Sequence, residues 1–135
     1  MAGLPLLIMQ LLAESVICPP DSKNRLPEPT DEEKKAYIAQ AKRVLPPLVE
    51  KYAALMGVRP ASVRITSAEK RWGSCSAKGC ICFSWRLMRT PAEFIEYVVV
   101  HEMAHLVEMN HSPRFWAVVR SVLPDYAQRR TMGRG

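Results

Sequence analysis

Thr90-Pro91-Ala92-Glu93-Phe94-Ile95-Glu96-Tyr97-Val98-Val99-Val100-His101-Glu102-Met103-Ala104-His105 is the stretch on which the fold of this chain turns. Thr90 can cap a helix, a proline suits the first helical position, and Glu93 can reach back to the cap. A helix is therefore expected from here to about Met109. The run Val98-Val99-Val100 is β-branched and taken alone favours a strand. The start signal and the motif that follows outweigh it.

That motif is His101-Glu102-x-x-His105. Residues four apart on a helix differ by about 40° in direction and about 6 Å in rise. Both imidazoles can then reach one zinc ion. Glu102, next to the first ligand, would not ligate. It would take a proton from a zinc-bound water and deliver it to the leaving group. H-E-x-x-H is short, and two satisfied histidines on a core helix are the bland alternative. Against it, all three histidines of the chain fall between residues 101 and 111.

A catalytic zinc usually has three protein ligands and an open position. His111 is the expected third. On a continuous helix it would point away from the metal, so the chain must turn first. Asn110 tolerates a left-handed helix end, and Ser112-Pro113 starts the next helix at once. Asp125, from the last segment, and Glu108, almost a turn beyond His105, are the alternatives.

Upstream, Ser62 to Thr66 alternates as a strand should. Lys70 to Ser76 and Cys80 to Trp85 are two more strands, joined by the turn Ala77-Lys78-Gly79. Ile81, Cys82, Phe83, Ser84 and Trp85 directly precede the motif helix. If they form a sheet edge, they are the expected substrate-binding strand, holding an extended peptide by main-chain hydrogen bonds. A plain core strand is the competing reading. Further upstream, Thr30 and Glu33 make a capping box. The helix they start has apolar residues from Ala36 to Leu55, must be kinked or interrupted at Pro46-Pro47, and stops at Gly57. Residues 4–17 read as a short amphipathic helix and 18–30 as a linker. Downstream, Ser112-Pro113 opens a helix ending near Pro124, with Phe115 and Trp116 packing behind the site.

The whole chain, 135 residues with 48% hydrophobic and 24% charged residues, suits one globular domain. Residues 1–30 are read as an N-terminal appendage and 31–135 as the domain proper. The net charge is +6, but Lys and Arg are scattered, which describes a solvated basic surface and leaves room for weak nucleic-acid contact. Cys75, Cys80 and Cys82 lack the paired spacing of a structural zinc site and read as free thiols. The apolar start is interrupted and lacks the marks of a signal peptide or a membrane span. A cytoplasmic location, without membrane contact, is expected.

Arg71-Trp72-Gly73-Ser74-Cys75-Ser76, Trp85-Arg86-Leu87, Tyr97 to His105, Asn110-His111-Ser112, Phe115-Trp116 and Leu123-Pro124-Asp125-Tyr126 occur in this order. Together they resemble the YgjP-like family of metal-dependent hydrolases, across about residues 32 to 130. The resemblance implies a minimal zincin-type fold, with zinc on His101, His105 and His111 and Glu102 as base. It implies a more distant similarity to SprT-like proteases, which act on proteins attached to DNA, and a link to nucleotide pyrophosphate hydrolysis. The family usually carries a longer β-rich region before the shared part.

The expectation is therefore an α+β, minimal zincin-like domain, with a small, mostly antiparallel sheet packed against the H-E-x-x-H helix and flanking helices. Its function would be zinc-dependent peptide-bond hydrolysis on a peptide or protein substrate, with one zinc per chain. Tyr126 and Arg86 are candidates for stabilising the oxyanion. Two other functions fit the same residues: a nucleotide phosphoanhydride hydrolase using the same metal, and a non-enzymatic, zinc-stabilised module that binds DNA or protein.

Overall fold

Thr30 and Glu33 close the start of the first helix as a reciprocal pair. The Glu33 amide donates to the Thr30 hydroxyl at 3.2 Å, and the Thr30 amide to the Glu33 carboxylate at 2.8 Å. In this computed structural model, which describes residues 15–17 and 27–134, the helix α1 runs Asp31–Met56. It ends on Gly57, whose φ of 68° is the left-handed turn a glycine takes without strain. Pro46 and Pro47 do not interrupt it. Both prolines are exposed, as are Lys42 and Arg43, whose carbonyls lose a partner to them, so water can satisfy those carbonyls. The opposite stripe, Ala41, Leu45, Val49 and Tyr52, is buried at helical spacing.

Four strands follow the order β1-β3-β4-β2. They are β1 (Ser15–Ile17), β2 (Ser62–Thr66), β3 (Gly73–Cys75) and β4 (Cys80–Ser84). The expected hairpin joins β3 to β4 through Gly79, whose φ is 84°. Its amide donates to the Ser76 carbonyl at 3.0 Å. The sheet is mixed: β1–β3 and β3–β4 are antiparallel, but β2 and β4 run parallel, Ser62 opposite Cys80 through Thr66 opposite Ser84. Parallel neighbours need a long crossover, and here the whole β3 hairpin arm supplies it.

Two expectations fail in the sheet. The end of the proposed helix over residues 4–17 is strand at Ser15–Ile17, and the rest of that segment lies outside the described residues. The Ile81–Trp85 segment is not an edge. β4 has β3 on one side and β2 on the other, with Ile81, Phe83, Ser84 and Trp85 buried, and Trp85 begins a short 3-10 helix, Trp85–Arg89. Its main-chain groups are already paired, so a peptide cannot dock along it.

The motif helix α2 (Ala92–Ala104) crosses the middle of the domain. Phe94, Ile95 and Tyr97 through Ala104 are all buried, so the helix has almost no solvent face. This explains why Val98-Val99-Val100 is helical despite its propensity: packing on every side decides. The start differs from expectation. Thr90 donates its hydroxyl to the Leu87 carbonyl at 2.7 Å, ending the 3-10 turn. Pro91 takes the cap position, and no side chain bonds the first amides. Two further helices, α3 (Pro113–Val122) and α4 (Tyr126–Thr131), close the domain. Ser112 caps α3, accepting from the Phe115 amide at 3.3 Å. Among the described residues, no helix is long and apolar enough to cross a membrane.

Candidate metal centre

α2 ends sooner than expected, at Ala104, and His105 is its C-cap. The Leu106 amide donates to Met103 O and the Val107 amide to Ala104 O, each at 3.0 Å, a tightening of the last turn. The chain then bends back without a left-handed residue, since no non-glycine residue among those described has a positive φ. Asn110 therefore does not take the left-handed conformation expected of it. The turn nevertheless delivers His111 to the face of α2 that carries His101 and His105.

The three Nε2 atoms face one another: 3.4 Å between His101 and His105, 3.2 Å between His105 and His111, and 3.2 Å between His111 and His101. Nitrogens held about 2.0–2.1 Å from a tetrahedral ion stand about 3.3 Å apart, so the triangle has the size such an ion requires. The tautomers point the same way. His105 Nδ1 lies 3.0 Å from the Glu108 carbonyl, which can only accept, so Nδ1 carries the proton and Nε2 presents a lone pair. His101 Nδ1 lies 3.2 Å from the Tyr97 hydroxyl, which can fix that ring likewise. Lone pairs converging on one point repel unless a cation sits between them.

The surroundings keep the rings neutral. Burial, then His105 and His111 and Arg130, hold His101 well below its usual pKa. Burial, then the nearby His111, lowers His105 to about 3, and burial lowers His111. All three are buried, among aromatic rings. Phe115 stacks on His105, with centroids 4.3 Å apart and planes at 26°. Trp116 lies 5.8 Å from His101 and 6.0 Å from His111. The reading of Phe115 and Trp116 as packing behind the histidines agrees with this.

A pH dependence follows. In the metal-free chain these imidazoles have folded-state pKa values below the 6.5 expected when unfolded. As pH falls through about 6.5 the unfolded chain binds more protons than the folded one, so the unfolded state gains. Metal-free protein should be at full stability above that pH and lose it progressively toward about pH 3. Urea unfolding midpoints, measured from pH 8 downward, should decline below about 6.5. A flat profile would mean that the rings are hydrated and already titrate normally.

Glu102 is fully buried. A Cβ at Gly73 of β3 would lie 3.3 Å from Glu102 Cγ and 3.2 Å from the Cys82 carbonyl. The absence of a side chain at Gly73 thus lets β3 close onto the carboxylate-bearing turn of α2. Among the described residues, the histidine triad is the group of side chains able to hold a metal. Of the alternative ligands, Asp125 is held by Arg129 at 2.9 Å. Glu108 serves through its carbonyl, with its carboxylate 3.9 Å from Arg114. Cys80 and Cys82 carry free thiols.

The two oxyanion candidates separate. Arg86 makes a bidentate pair with Glu28, at 3.0 Å on each arm, and its guanidinium lies 4.4 Å from the Trp85 ring centre. It is not brought to the histidines. Tyr126 stacks on Trp116 at 5.2 Å, one ring removed from the triad. Arg130, which the sequence reading missed, lies 5.4 Å over the Trp116 ring, and its charge bears on both Tyr97 and His101. Its signal was available: Arg130 follows Tyr126 by four residues, which puts both on one face of a helix.

The family model described as "YgjP-like, metallopeptidase domain" matches residues 18–132. The crystal structure of the metallopeptidase zymogen of Pyrococcus abyssi abylysin is similar, with a TM-score of 0.55 and 25% identity. That similarity covers 63% of this chain and 86% of the other. No curated protein matches.

Proposed function

Because this chain belongs to the YgjP-like metallopeptidase family, we propose that it is a zinc metallopeptidase of minimal zincin-like architecture, with the metal held by His101, His105 and His111. The observation that carries this reading is the triangle of imidazole nitrogens, 3.2–3.4 Å on each side. A zinc ion, when bound, supplies a Lewis acid that polarises a carbonyl and lowers the pKa of water. The chain's own residues do the rest. Glu102, one residue along from His101 and sealed from bulk solvent, is the base that receives the proton of the attacking water and passes it to the amine that leaves. Tyr97 and the Glu108 carbonyl orient two of the imidazoles. Arg130 and Tyr126, both against Trp116, are the groups to stabilise a developing oxyanion.

The domain proper is residues 31–135, and the substrate is an unfolded or extended polypeptide. The test is hydrolysis of a reduced and alkylated protein by zinc-loaded chain. Cleavage should stop on chelation and return when zinc is restored. A chain that binds zinc stoichiometrically yet cleaves no polypeptide, while hydrolysing nucleoside triphosphates, would replace the peptidase with a phosphoanhydride hydrolase.

A further inference from the structure

Resting on the peptidase reading above, we propose that the outer edge of β3 is the docking edge for substrate main chain, and that the chain's own Ser15–Ile17 occupies it. Peptide and β1 would then compete for one set of backbone groups.

The choice of edge follows from sheet order. With β4 enclosed, and β1 set aside, two strands could accept another chain: β2 at one end of the sheet and β3 at the other. Only β3 bears on the chemistry, through the close approach of Gly73 to Glu102. β2 faces α1 instead, across a groove lined by Lys42, Val49, Arg59 and Val63. An extended peptide laid beside β3 would pass next to the carboxylate-bearing turn of α2, as a scissile bond must.

In this fold the edge is taken. Ser15 pairs with Cys75, Val16 with Ser74 and Ile17 with Gly73, all antiparallel. This shows that the edge accepts an extended strand, and in which direction. The occupant ends opposite Gly73, the β3 residue that closes against Glu102. Its hold is slight. It is three residues long, and it reaches β3 across more than fifty intervening positions, which adds a loop-closure cost to so short a ladder. A short and distant contact can be displaced by a peptide making the same main-chain bonds over a greater length.

The test uses the full chain, zinc-loaded, with Ile17→Pro. Trp72 and Ser76 bond β4, so by alternation Gly73 and Cys75 face β1, and Ile17, opposite Gly73, loses a ladder amide when it becomes proline. The probe is a fluorescent peptide copying residues 10–19, added in trans, with binding read by anisotropy. The expected result has three parts: faster amide exchange at Gly73–Cys75, roughly tenfold tighter binding of the peptide, and a lower KM for unfolded protein at unchanged kcat. If the proline variant misfolds, glycine at 15, 16 and 17 weakens strand pairing while keeping every donor. Unchanged exchange at β3 would mean that β1 does not hold the edge. Faster exchange with unchanged peptide affinity would mean that the edge is not the docking site. Either result overturns the proposal, while hydrolysis itself, if present, leaves the peptidase assignment standing. Conversely, tighter binding without any hydrolysis supports the edge and removes the peptidase.

Discussion

Glu102→Gln should retain zinc and fold while losing about 10²–10⁴-fold in turnover, the usual contribution of a general base. The substitution is nearly isosteric, which matters here because Glu102 is fully buried and β3 is closed against it at Gly73. A smaller residue would leave a void beneath the sheet and confuse loss of chemistry with loss of packing. Glutamine fills the space, keeps hydrogen-bonding atoms and cannot accept the proton. Removing a buried ionisable carboxyl should, if anything, stabilise the fold, because an ionised group there is costly. The decisive measurement is kcat at equal zinc content, alongside the unfolding midpoint. Full turnover in this variant would remove Glu102 from the mechanism.

His111→Ala carries the second large effect. Mutating even a partner behind a metal ligand typically costs about 10–100-fold in affinity. Removing a ligand should cost more, since two nitrogens cannot complete the triangle. The neighbours offer no ready substitute: Asp125 is tied to Arg129 and the Glu108 carboxylate faces Arg114. Competition against a chromophoric chelator should show affinity down by at least about 10²-fold. Because His111 is buried beside Phe115 and Trp116, a far-UV spectrum must accompany the titration. A folded His111→Ala protein that holds zinc as tightly as the parent would return the third position to Asp125 or Glu108.

What could be read from the chain beforehand divides along a physical line. Local chemistry was legible. The Thr30–Glu33 box, the Gly57 stop, the Gly79 turn and the Ser112 cap each depend on a few neighbouring residues, and each lies where expected. The convergence of His101, His105 and His111 was legible too, because all three lie within a short span. What failed was non-local. Whether Ile81–Trp85 is an edge depends on where β2 inserts, which alternation along one strand does not encode. Ser15–Ile17 reads as helix by pattern, and its partner is β3, far along the chain. The Thr90 cap failed more subtly. Its hydroxyl had a second acceptor in the Leu87 carbonyl, a competition that sequence spacing leaves open.

The burial of α2 on nearly every side has a consequence for how such a protein can change over generations. On an ordinary surface helix, a mutation near a site can drift without penalty along the wet face. Here there is no wet face from Tyr97 to Ala104. Any replacement around the histidines is tried first by the core, at a typical cost of about 1–3 kcal/mol for added bulk, before selection on chemistry can act. New specificities are thus more accessible through the exposed side of α4 and the segments leading to and from the sheet. The helix that carries His101 and Glu102 is the part of the chain least free to explore.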